Sequence, residues 1–149
     1  MLVPPEDDPR NRPGQSIGAA IRTLLRWVVA VFYGVAGYAH LDRPEGFLAI
    51  TPGWVPAPEL IIMLTGVAEL AGAVGLLWKP VRRWAGIGLA LYALCVWPAN
   101  FHHAFSDITV GGTNLDWSYH APRLVLQPVI IWLALWVGEV TEWPFRKSA

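Results

Sequence analysis

An all-α bundle of four membrane-spanning helices follows from three features of this chain. First, four apolar stretches, 24–41, 60–78, 84–101 and 124–140, carry most of its hydrophobic residues. Each is near the ~20 residues that cross a ~30 Å hydrocarbon core at about 1.5 Å rise per residue. Second, charged residues make up 15% of the 149 and hydrophobic ones 54%, whereas soluble domains carry about 25% charge. A soluble bundle needs charged outer faces, and these stretches have none. Third, the cations are lopsided. Arg10, Arg12, Arg22, Arg26, Lys79, Arg82, Arg83, Arg146 and Lys147 fall on one side of the spans, and only Arg43 and Arg123 on the other. That asymmetry predicts cytoplasmic termini and a multi-pass protein of the plasma (inner) membrane.

The elements follow in order. Residues 1–16 are polar and rich in Pro and Arg, with no apolar core. They read as a short disordered cytoplasmic tail, not a signal peptide. The membrane domain is expected over 17–142, with a second tail over 143–149. Span one starts near Arg26, whose long side chain is expected to reach the headgroups. The outer loop after it holds Pro44, Pro52, Pro56 and Pro58. Within that loop Glu45–Ile50 is expected as a short interfacial helix started by Pro44, broken by Thr51-Pro52-Gly53-Trp54.

Span two has one charge, Glu69, near its midpoint. The tight 79–83 connection makes spans two and three antiparallel neighbours. Span three is uncharged and holds Cys95, the only cysteine. This excludes an intramolecular disulfide, and Cys95 is expected as a small buried hydrophobe. Gly111, Gly112 and Asn114 give turn chemistry to the second outer loop. Span four is bounded by Arg123 and Glu139. Trp27, Trp78, Trp84 and Trp143 mark the inner boundary, and Trp54, Trp97 and Trp117 the outer one. The pairs Ala30/Gly34, Ala68/Gly72 and Gly86/Ala90 have the small-xxx-small spacing of close helix packing in lipid.

The polar residues concentrate at the outer end. His40 ends span one, His102 and His103 follow span three, and His120 precedes span four. Asn100, Arg123 and Gln127 continue inward, the last two on one helix face. Glu69 lies deepest. A carboxylate within a membrane normally faces a bundle interior or a pathway. Arg123 is its expected cation, if the guanidinium bends inward. The candidate ligand-binding set is therefore His40, Glu69, Asn100, His102, Arg123 and Gln127. A metal set of His40, His102, His103 and His120 is the lesser alternative, because no fixed ligand spacing supports it. No catalytic constellation is complete, and whether the chain is an enzyme stays open.

Five motifs resemble DoxX-like membrane proteins. They are the run from Phe32 to His40, the proline-rich run from Ile50 to Pro58, Gly66-Val67-Ala68-Glu69, Trp97-Pro98-Ala99-Asn100, and the Arg123…Gln127 start of span four. Their order and spacing extend over residues 30 to 140. The resemblance implies a four-helix membrane bundle. It also implies a link to respiratory sulfur oxidation as a quinone-reactive subunit, to redox-enzyme maturation, or to the handling of other proteins. His103 and the Gly-Gly loop fall outside the pattern.

The resulting expectation is a quinone- or amphipathic-ligand-binding accessory subunit of a membrane redox system. His40, Asn100, Arg123 and Gln127 would hold the headgroup, and Glu69 or a histidine would exchange the proton. No motif binds flavin, haem or an iron–sulfur cluster, so no intrinsic cofactor is expected beyond a possible quinone. The alternative is a non-catalytic assembly or chaperone protein that binds a client through its outer loops. A small transporter is a third reading, which would require oligomerisation. The expected partners are the lipid bilayer, a redox subunit or client protein, and further copies of the chain. No basic patch suits a nucleic acid.

Overall fold

A computed structural model describes residues 13–106, 108–110 and 112–143. The described chain runs α1 (Pro13–Asp42), α2 (Glu45–Ile50), α3 (Pro58–Leu77), α4 (Arg82–Phe105), β1 (Thr109–Val110), β2 (Thr113–Asn114) and α5 (Trp117–Val137). Four helices are long and apolar enough to cross a membrane: Ile17–Asp42 within α1, and all of α3, α4 and α5. The four-helix membrane bundle is thus present. The expected tails fall mainly on 1–12 and 144–149, outside the described residues. Residues 13–16 belong to α1.

Three helix ends extend well beyond the apolar runs. α1 begins at Pro13 instead of Leu24, α4 continues through His102 and His103 to Phe105, and α5 begins at Trp117 instead of Leu124. His103 and His120 are buried in these extensions. Their polar groups turn into the bundle, so hydropathy alone underestimates the helix. Asp116 caps α5 by accepting from the Ser118 backbone N–H at 2.9 Å. The outer loop folds as expected, with Pro44 at the N-cap of α2. The second loop closes as an antiparallel hairpin pairing Thr109 with Asn114 and Val110 with Thr113.

α1 packs chiefly on α3, and α4 chiefly on α5. The first pair closes where two glycines meet. A Cβ on Gly37 would stand 2.7 Å from the Gly66 carbonyl oxygen, and one on Gly66 would stand 2.8 Å from the His40 Cβ. Gly72 meets Leu89, and Gly86 meets the Ala134 carbonyl. Gly34 and Ala68, expected at packing seams, are not: Gly34 has nothing within 4 Å of its would-be Cβ, and Ala68 is exposed.

The dense core lies toward the end where α1 starts and α5 stops. It is built from Val29, Ala30 and Tyr33 of α1, Ala73 and Leu76 of α3, Leu89 and Ala90 of α4, and Ala134, Trp136 and Val137 of α5. A set of ions closes this basic end. Arg26 donates to the Val137 carbonyl at 2.9 Å and to Glu139 at 2.7 Å. Arg82 donates to the same Glu139 oxygen at 2.9 Å and to the Leu76 carbonyl. Arg22 pairs with Glu142 and lies over the Trp136 ring at 4.7 Å. Arg26 is thus held by neighbouring groups at the end of the bundle. It is buried and caps the last turn of α5, where a cation opposes the helix dipole.

Candidate functional site

The opposite, histidine-bearing end is hollow. A cavity of about 560 Å³ lies between the α1/α3 and α4/α5 pairs. α2 and the chain after it form part of its wall through Phe47, Ile50, Trp54 and Val55. Most lining side chains are apolar. The polar ones fall into two groups on opposite helix pairs.

On the α1/α3 wall, His40 meets Glu69. The close approach at Gly66 brings α1 down onto α3 at this level. His40 Nδ1 is 2.9 Å from Glu69 Oε2 and also 2.9 Å from the Ala36 carbonyl. The ring N–H is aimed at the carbonyl. Glu69 Oε2 is thus at ion-pair distance from His40 but buried without a hydrogen bond. The Phe47 ring of α2 stacks on His40 with centroids 3.7 Å apart. Tyr33 and Tyr92 line the same cavity as Glu69.

On the α4/α5 wall, Arg123 donates to Asn100 Oδ1 at 2.6 Å. Asn100 in turn donates to Gln127 Oε1 at 3.3 Å. Gln127 donates to the Ala93 carbonyl in a short bond. Pro98 inside α4 leaves the Leu94 carbonyl one turn back without its ladder donor, while the neighbouring Ala93 carbonyl takes the Gln127 amide as an added donor. Arg123 also donates to His103 Nδ1 at 3.2 Å and lies 5.0 Å above the Tyr119 ring. The bond to Nδ1 fixes His103 as the tautomer protonated at Nε2, and that atom is buried without a partner.

His40, Glu69, Asn100, Arg123 and Gln127 thus share one cavity. His102 does not line it and turns to Ser106 instead. The expected Arg123–Glu69 pair is not formed: the acid takes His40 and the guanidinium takes neutral partners. The four histidines are likewise divided. His40 belongs to Glu69, while His103 and His120 meet edge to face at 4.7 Å. Among the described residues no three potential metal ligands come together. Cys95, expected to be buried, is exposed and stands on the cavity wall.

Tyr33, Phe47, Thr65, Tyr92 and Tyr119 also line the cavity and lie beyond the set expected from the sequence. A signal for two of them exists. Tyr33 and His40 are two helical turns apart, as are Tyr92 and Asn100, so each pair shares a face.

Among the described residues outside the spans, Asp116 is the one group whose acidity is visibly set by its neighbours. The Ser118 hydroxyl and backbone N–H hold its carboxyl below the usual range.

A four-span helical bundle, packed at one end and hollow with polar walls at the other, defines an integral membrane protein with an internal cavity. Residues 29–138 match a family described as a domain of unknown function, DUF8561, and the chain belongs to that family. No curated protein and no solved structure matches it.

Proposed function

We propose that this protein is a DoxX-like accessory subunit of a membrane redox system, and that the cavity is its ligand site. The ligand is amphipathic, with a quinone as one candidate and a molecule with an acidic head as the other. The observation that carries this reading is the shared cavity. One polar wall offers the His40–Glu69 pair, the other offers Arg123, Asn100 and Gln127, and an apolar lining between them suits a tail. Its volume falls in the roughly 300–1,000 Å³ range of small-molecule sites. Glu69 and His40 are the groups for proton exchange with a bound headgroup. The redox role rests on the order of the sequence motifs. The excess of cations at the basic end supports cytoplasmic termini and an inner-membrane setting.

The test is solvent extraction and lipid analysis of the protein purified from membranes. The expected result is a co-purifying amphiphile, depleted in Glu69→Gln and Arg123→Ala. Absence of any such molecule, with no effect of either substitution on a partner's activity, removes the reading. Docking of a client protein is the second reading. It is favoured by Trp54, Phe105 and Trp117, which are exposed at this end. On that reading their substitution abolishes pulldown, while Glu69→Gln leaves it intact.

A further inference from the structure

We infer that the ligand of this cavity carries an anionic head on a single hydrocarbon tail, as a long-chain fatty acid does, and that Arg123 is the residue that selects it. This rests on the reading of the cavity as a ligand site and decides between its two candidate heads.

Charge balance separates Arg123 from its counterparts. Three arginines at the basic end, Arg22, Arg26 and Arg82, each meet a glutamate. Arg123 does not. Its partners are an amide, a neutral imidazole and the face of a phenol. No carboxylate of the described residues lies within ion-pair distance of it. The buried acid on the same cavity, Glu69, is engaged with His40 on the far wall. A guanidinium inside a membrane bundle, with no counter-charge, is costly unless something supplies one.

The geometry shows where that charge would sit. A guanidinium has five N–H donors, and the bonds to Asn100 and His103 leave others for the cavity it lines. Its planar fork matches two oxygens of a carboxylate better than a single carbonyl. A neutral quinone carbonyl could accept a bond here but would leave the charge unmatched. Asn100 holds the guanidinium in place and is itself held by Gln127. On the opposite wall Glu69 and His40 already engage each other, so the free donors that face an anionic head are on the α4/α5 side. Leu126 and Ile130, one and two turns deeper on α5, continue the wall as an apolar track for the tail.

The experiment uses the full chain in nanodiscs of zwitterionic lipid, with tritiated oleate as the probe at alkaline pH. Competitors share the tail and vary the head: unlabelled oleate, oleyl alcohol and methyl oleate, with decyl-ubiquinone as the quinone. The expected order places oleate at least tenfold ahead of the three uncharged molecules. Arg123→Gln removes that preference, and Arg123→Lys retains part of it. If the uncharged molecules compete as well as oleate, the inference fails while the cavity remains a ligand site. If no amphiphile binds at all, the reading of the site fails with it. Should Arg123→Gln not fold, the competitor series on the unaltered chain decides the question by itself.

Discussion

The two ends of this bundle solve the same problem, charged groups within apolar helices, in opposite ways. At the basic end Arg22, Arg26 and Arg82 each find a carboxylate, a helix C-terminus or both, and the core beside them is dense. At the histidine end the acid and the guanidinium are kept on separate walls with a cavity between them. The first arrangement is complete within the chain. The second leaves the His103 Nε2 buried without a hydrogen-bond partner. Stability is therefore concentrated at one end and unsatisfied bonding capacity at the other.

The sharpest way to break this contrast is to remove one arginine from each end. Arg26→Ala strips the Val137 carbonyl and Glu139 of a buried donor. The expected loss is about 2–4 kcal/mol, below the ~3–5 for a wholly buried pair because the Glu139 side chain is 42% exposed. Arg123→Ala should cost less than about half of that, since an unmatched charge is removed along with its bonds. Thermal unfolding in detergent measures both. Equal losses would mean that the two ends are not different in kind.

Next in size is Gly66→Ala. Its new methyl would stand 2.8 Å from the His40 Cβ and 3.0 Å from the Gly37 carbonyl. The helices must part, at about 1–3 kcal/mol. The same shift should pull His40 off Glu69, so ligand retention should fall together with the unfolding midpoint. Gly34→Ala is the control, because nothing lies within 4 Å of that position.

A smaller effect of opposite sign is expected at Ala57. It caps α3 in the left-handed region, at φ 45° and ψ 60°. Ala57→Gly relieves a strain of roughly 1–2 kcal/mol and returns part of it as unfolded-chain entropy, for a net gain of about 0.5–1 kcal/mol. A rise in the unfolding midpoint checks it.

The smallest effect concerns acid. Asp116 has a carboxyl held below the usual range by Ser118. Its contribution to capping is present above the ordinary carboxylate range and is lost as pH falls through the lowered value. The Ser118 amide resonance should move over that window in the unaltered chain. In Asp116→Asn it should stay still, because asparagine caps without titrating.

Much of this contrast was legible in the sequence. The four spans were, because uninterrupted apolar runs have few other solutions in a chain so poor in charge. Glu69, Asn100, Arg123 and Gln127 were legible as well, since polar groups in such runs must face inward. The pairings were not. His40 meets Glu69 because α1 and α3 slide to the depth at which Gly37 and Gly66 touch, and no hydropathy pattern encodes that offset. Arg26 presents the same difficulty. A cation near a helix start can turn to any of several acceptors. Only the position of the Val137 carbonyl shows which one it takes. The extensions of α4 and α5 were hidden for a related reason: His103 and His120 count as polar in any index, yet both are buried.

Cys95 gives this architecture a practical handle. It is the one thiol in the chain, and it is exposed on the edge of the hollow. A small membrane-permeant thiol reagent carrying a nitroxide therefore has a single target without engineering a new residue. Once attached, its spectrum changes when the space beside it fills, so the native chain serves as its own occupancy gauge.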